Sequence, residues 1–273
     1  MGILVYGSLV PDVLFRVPRL PAAGDDVPAS SVSMVAAGGG GNVAMALAAW
    51  GYDTMAVGNS VGEDPLGRWA AEQFEQAGIR LPAGYVASDG VTPPNGIIVT
   101  PDGERTIIGN DYQRVTWMPV QTWSGVNAVV VDAYSAAAGG TVLAEAARQG
   151  MVTVASDRTD HLPDLTVVIW SASEHPEAAE AQAAADQGPL VVVTAGPNPI
   201  VLYSAGQSPS EVPVEPVSAP DSTGAGDVLT AGVVAGLSDG LTPIAAVAQA
   251  ADVASRYVAG RRESQVPPLT RLG

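Results

Sequence analysis

A carboxylate one turn inside a glycine-rich helix start is the feature of this chain best suited to chemistry. The run Asp221-Ser222-Thr223-Gly224-Ala225-Gly226-Asp227 leads directly into the apolar, helix-permitting stretch Val228 to Leu237. Two glycines let the backbone approach a ligand closely, and the unpaired N–H groups and positive dipole end of the helix attract an anion. A phosphate suits that place. Asp227 would repel it unless the carboxylate has a task, such as taking a proton from an attacking hydroxyl. The pattern points to phosphoryl transfer to an alcohol, with Asp227 as general base and the backbone of Thr223, Gly224, Ala225 and Gly226 stabilising the transferring group. A plainer reading has Asp221 or Ser222 capping the helix and Asp227 complementing its dipole.

Composition removes many competitors. All 12 basic residues are arginine, so no lysine is present for a Walker A loop, for the strand lysine of eukaryotic-type protein kinases or for a Schiff base. With no cysteine, disulfides, thiolate metal sites and a thiol nucleophile are excluded. A net charge of -16 argues against nucleic acid and anionic membrane surfaces as partners. The N-terminus lacks a basic leader pattern and no apolar run approaches a membrane span, which predicts a cytoplasmic enzyme of small metabolites.

Two rival chemistries leave traces. Gly58-Asn59-Ser60-Val61-Gly62 matches a serine-hydrolase nucleophile elbow, with Asp132 or Asp157 and His161 or His175 in suitable chain order. That elbow needs a helix directly after the serine, whereas Asp64-Pro65 predicts a helix start several residues later. Otherwise the two histidines have no ligand spacing and read as exposed or structural. A Rossmann dehydrogenase fails because Leu229 stands where a third glycine belongs, far from the first strand. A non-catalytic sugar or nucleotide sensor would have lost its base, and Asp227 is present.

The elements that must position these residues read as alternating strands and helices. Ile3 to Tyr6, Thr54 to Val57, Ala128 to Asp132, Val152 to Ala155, Thr166 to Trp170 and Leu190 to Thr194 are nearly continuous in apolar residues, as buried parallel strands are. Asn42 to Trp50, Pro65 to Ala77, Thr141 to Gln149 and Glu174 to Gln187 read as helices, with Gly78 and Gly150 as stops. The alternation predicts a three-layer, doubly wound α/β fold with a mainly parallel sheet. Val13 to Val35 and the Asn95 to Gly109 hairpin read instead as a small antiparallel sheet, and proline-rich Gly206 to Pro220 as a stiff connector.

The run from Asp221 to Asp227, continuing to Gly232, resembles the C-terminal signature of the ribokinase-like (PfkB) carbohydrate kinases. Ala37-Gly38-Gly39-Gly40-Gly41-Asn42-Val43-Ala44, with Gly51 downstream, resembles their N-terminal signature. The resemblance implies one kinase domain over residues 1–273, with a β lid from about 12–36 and 94–112 that covers the sugar and often supplies a dimer contact. It implies ATP and Mg²⁺, and a sugar acceptor bound by Asp12, Gly38, Gly39, Gly40 and Asn42, with loop N–H groups turned to the sugar. Gly103-Glu104-Arg105-Thr106-Ile107-Ile108 is similar to the lid strand of the ketohexokinase, fructokinase and sulfofructose-kinase branches, so Arg105 joins the acceptor residues and a ketose is the favoured substrate. Nucleoside and phosphosugar acceptors stay open, the latter through Arg105, Arg114 or Arg158. For the nucleotide, Thr194, Gly196, Thr223, Gly224 and Gly226 are implied, although Pro199 replaces a usual glycine. Glu174 would serve Mg²⁺ through water, with Ser171 in the place of the usual asparagine. Gly260-Arg261-Arg262-Glu263-Ser264 is similar to a loop that binds a monovalent cation in some members.

Overall fold

The computed structural model describes residues 2–109, 115–157, 165–174, 177–215, 217 and 223–260. Arg114, Arg158, His161, His175, Asp221, Ser222 and the 261–264 loop lie outside the described residues.

The buried apolar runs assemble into one eight-stranded sheet. Its parallel part comprises β1 (Gly2–Gly7), β4 (Asp53–Gly58), β9 (Val126–Val131), β10 (Val152–Ser156), β11 (Val167–Ser171) and β12 (Leu190–Ala195). Antiparallel β13 (Asn198–Tyr203) and β14 (Ser210–Val212) complete the order β14-β13-β12-β11-β10-β9-β1-β4. Ile3, Leu4, Val5, Val129, Val130, Val167 and Val168 are almost fully enclosed, as strands covered on both faces must be.

Between the strands run α1 (Gly39–Ala49), α2 (Pro65–Gln76), α3 (Ala136–Arg148), α4 (Ala178–Ala185), α5 (Ala225–Ser238) and α6 (Pro243–Gly260). Asp64 caps α2 as its sequence predicts, its Oδ1 accepting from the N–H groups of Leu66 and Gly67, each at 2.9 Å. Gly78 and Gly150 close α2 and α3 with φ of 81° and 71°, a conformation that costs other residues strain. Helices α5 and α6 pack closely because glycine faces alanine: a Cβ on Gly232 would lie 2.8 Å from that of Ala250, and one on Gly236 3.0 Å from that of Ala246. Every residue of α5 from Val228 to Ser238 is buried.

Several elements depart from the sequence reading. Helix α1 begins at Gly39 rather than Asn42, so three glycines form its first turn. Strand β9 ends at Val131, leaving Asp132 just beyond it. Glu174 opens no helix: it sits in a turn closed by its N–H on the Ser171 carbonyl at 3.0 Å, and α4 begins at Ala178. The Ser171 and Ser173 hydroxyls, 2.7 Å apart, bond locally in place of helix formation. The connector from Gly206 contains strand β14.

A second sheet stands on the main one, in the order β3 (Ser31–Ala37), β2 (Val10–Arg16), β7 (Asn95–Val99), β8 (Arg105–Ile108). Its outer pairings are antiparallel, while β2 and β7 run parallel, with Asp12 opposite Asn95. The β7–β8 turn is held by the Thr100 hydroxyl donating to Asp102 Oδ1 at 2.6 Å and by Gly103 at φ 85°. The pair β5 (Val61–Gly62) and β6 (Val86–Ala87) is separate.

Candidate active site

Strands β1 and β9 are neighbours, yet the chain leaves them in opposite directions, from β1 on to β4 and from β9 on to β10. Their carboxyl ends therefore flank a crevice of the kind in which open α/β sheets bind ligands. Ser8 follows β1 and Asp132 follows β9, and they meet there. Asp132 Oδ2 accepts from the Ser8 N–H at 2.6 Å, the Ser8 hydroxyl at 2.8 Å and the Gly40 N–H at 3.1 Å. Its Oδ1 accepts from the N–H groups of Tyr134 at 3.1 Å and Ser135 at 3.0 Å. Burial pushes the Asp132 carboxyl up, and the bonds from Ser8, Ser135 and Tyr134 oppose that rise. Since every partner donates, the pattern is that of an ionised carboxylate.

The same contacts govern the start of α1. Gly39 N–H donates to the Ser8 hydroxyl at 2.9 Å, Gly40 N–H to Asp132, and Gly41 N–H to the Ser8 carbonyl at 3.0 Å. The expectation that these N–H groups turn to a sugar is corrected: the protein itself consumes them. Their glycines serve close approach instead. Gly38 has φ 87° and a Cβ there would lie 2.4 Å from the Ser8 carbonyl oxygen, while one on Gly40 would lie 2.9 Å from Gly7 Cα. Asn42, on the next turn, reaches the other way, and its Nδ2 donates to Asp227 Oδ2 at 2.7 Å.

Asp227 stands in the first turn of α5, whose N-cap Gly224 takes the left-handed conformation (φ 80°) with the Tyr257 hydroxyl 3.1 Å from where a Cβ would be. Tyr257 also donates to the Thr223 carbonyl at 3.3 Å, fixing the turn. No side chain among the described residues caps α5, and a Cβ on exposed Gly226 would meet nothing within 4 Å. Among the described residues, then, nothing crowds Gly226 at this backbone N–H-bearing helix start. Burial pushes the Asp227 carboxyl up to about 7; the Asn42 amide and the Arg105 charge lower it, and the charges of Asp132 and Asp12 raise it.

The small sheet contributes from the opposite side. Asp12, 7% exposed, accepts from Asn95 Nδ2 at 2.9 Å, and burial pushes it up to about 6 against that bond. Arg105 and Asp12 both act electrostatically on Asp227, which Asn42 bonds directly. Tyr134 joins them, although the sequence did not single it out. Its ring lies 3.3 Å from where a Gly39 Cβ would be, and its hydroxyl, pushed up chiefly by burial, also feels Asp227, Asp132, Glu174 and Arg105.

Residues assigned to the nucleotide lie along the same carboxyl edge of the sheet. Thr194, next to last in β12, donates its hydroxyl to the Trp170 carbonyl at 3.2 Å, and Gly196 (φ 60°) makes the tight turn into β13. Glu174 is exposed after β11. Among the described residues no cluster of three or more potential metal ligands exists, so no all-protein metal cage is formed there. An ion that retains its waters and borrows phosphate oxygens fits a lone exposed carboxylate. The elbow reading fails: Ser60 is followed by β5 rather than a helix, and Asp132 is engaged by Ser8. Among the described residues no helix is long and apolar enough to cross a membrane.

A mainly parallel α/β sheet bearing a small second sheet defines a ribokinase-like fold. Residues 2–268 match the pfkB family carbohydrate kinase profile, and the chain belongs to that family. The ribokinase of Cryptococcus neoformans var. grubii serotype A, solved with ADP, shares 23% identity at a TM-score of 0.75, covering 98% of this chain and 97% of that one. Arabidopsis thaliana ribokinase, complexed with ribose and ATP, gives 20%, 0.72, 94% and 92%. An ATP-dependent ribose-1-phosphate kinase of Halopiger xanaduensis is 36% identical over 109 residues; the match spans 40% of this chain and only 36% of that relative.

Proposed function

We propose that the protein transfers the γ-phosphoryl group of ATP to a hydroxyl of a sugar, with Asp227 as general base. The observation that carries this reading is the Asn42–Asp227 bond at the glycine start of α5. Asn42 occupies Oδ2 and leaves Oδ1 for the acceptor hydroxyl. A base with a pKa of about 7 combines a useful ionised fraction at neutral pH with enough basicity to draw off the proton. The N–H groups from Thr223 to Gly226 take the charge on the transferring group. Asp12, steadied by Asn95, accepts hydrogen bonds from acceptor hydroxyls, and Arg105 closes that side. Thr194 and Gly196 border the nucleotide. Bound with ATP, Mg²⁺ would draw charge from the phosphate oxygens, and Glu174 would hold it through water.

The acceptor proposed first is a neutral ketose, on the lid strand around Arg105. A second reading, a sugar phosphate, is favoured by the positive charge of Arg105, which acts on Asp227, and by the ribose-1-phosphate kinase relative. ADP release across ketoses, aldoses, nucleosides and sugar phosphates, with Asp227→Asn beside wild type, tests both. Acceptor-dependent release should fall about 10²- to 10⁴-fold in the variant, the usual worth of a positioned base. Undiminished turnover sinks the role of Asp227, and the best acceptor decides between the readings.

A further inference from the structure

The geometry points to Asp132 as a positioning residue: wedged between the end of β1, the start of α1 and the loop after β9, its carboxylate holds α1 so that Asn42 grips Asp227. What that pair does rests on the phosphotransfer reading above; that Asp132 aligns it rests on distances alone. Asp132 is 9% exposed and accepts five hydrogen bonds, three of them on the oxygen that faces α1. It binds the N–H of Gly40, two residues before Asn42, and Asn42 Nδ2 lies 2.7 Å from Asp227 Oδ2. Nothing local can do this work, because the N-cap of α1 is Gly38, which has no side chain. The chain is shaped around the carboxyl group: a Cβ on Gly7 would lie 2.5 Å from Asp132 Cγ, and one on Gly39 3.0 Å from its Oδ2. A negative charge at this spot also complements the positive end of α1.

The effect travels through a hydrogen-bonded chain, so it should be non-additive with loss of its last link. A double-mutant cycle of Asp132→Asn with Asn42→Ala, read as kcat/KM for the best acceptor, tests this. Asp132→Asn should lower that value about 10- to 100-fold, the range for misplacement of a reacting group by about 1 Å, and leave the KM for ATP within about twofold. Adding Asn42→Ala should then cost little more. Additive losses, or equal damage to both substrates, overturn the proposal.

The side-chain amide NMR signal of Asn42 gives a readout that needs no turnover. In Asp132→Asn it should move toward its position in Asp227→Ala, and an unmoved signal overturns the proposal. A wild type silent with every acceptor would refute the phosphotransfer reading, while the amide signal would still judge the positioning. Should Asp132→Asn fail to fold, Ser8→Ala removes one donor to Asp132 and the acceptor of Gly39 N–H. A smaller shift in the same direction is expected from it, and none overturns the proposal.

Discussion

Two glycine-rich helix starts meet in this molecule, and they are treated in opposite ways. At α1 the N–H groups of Gly39, Gly40 and Gly41 are taken by Ser8 and Asp132, so the dipole is neutralised from within. At α5 no described side chain caps the helix, and a Cβ on Gly226 would meet no described atom within 4 Å. Similar sequence therefore serves two ends. The glycines of α1 admit the protein's own backbone and carboxylate, whereas at α5 Gly224 admits the Tyr257 hydroxyl and Gly226 meets no described neighbour. One side chain, Asn42, connects the closed start to the open one.

The sharpest way to break this contrast is to add one methyl group at each start. Gly38→Ala forces a Cβ to 2.4 Å from the Ser8 carbonyl at a φ of 87°. It should destabilise the fold by roughly 1–3 kcal/mol, read by urea unfolding. Gly226→Ala has space and should fold as wild type does, yet lower kcat/KM for ATP on the order of 10- to 100-fold by displacing the phosphates. Equal stability losses in both variants would erase the distinction.

A second test uses pH. The acid limb of kcat/KM should fall near pH 7, where Asp227 loses its proton, and should vanish in Asp227→Asn. The stability effect has the opposite sign. A carboxyl raised from 3.8 to about 7 is more protonated folded than unfolded, so its contribution weakens as pH rises between those values. Asp227→Asn should therefore melt above wild type at pH 8, by a margin that shrinks toward pH 4. A margin that does not change with pH would mean that Asp227 is not held in this way.

The smallest effect on catalysis is expected from the outer face of the small sheet. Met34, Val13 and Ile108 share one row of it, and Val32 and Phe15 the next, with Val32 59% and Ile108 64% exposed. This surface is proposed to join two copies. Met34→Glu with Ile108→Glu should halve the mass seen by analytical ultracentrifugation, with turnover changed less than about threefold. A wild type that sediments as a monomer at micromolar concentration contradicts the proposal.

Reading the sequence reached the open start far better than the closed one. Thr223 to Asp227 is contiguous, so its chemistry can be read in a single glance along the chain. Asp132 acts across 92 and 124 positions, on Gly40 and Ser8, and no local pattern announces such a cap. The one available signal was an aspartate closing a buried apolar run and followed by Tyr134 and Ser135, the start of a side-chain-to-backbone turn. The parallel strands were legible because burial on both faces leaves them uninterrupted in apolar residues. Strand β13 was not, since Asn198 and Pro199 at its start look like loop residues, and Glu174 was misplaced because serine hydroxyls favour a turn where composition suggested a helix.

The ends of the large sheet bear on how the protein behaves when crowded. At one end β14 is three residues long and carries Glu211. At the other, the backbone of Arg80 pairs with Thr54 and Ala56 of β4, its side chain meets Asp53, and Pro82 soon follows. A short charged strand and an edge already occupied both refuse an incoming strand. Aggregation by sheet-to-sheet extension is thereby discouraged in a molecule whose interior is otherwise rich in strand-forming sequence.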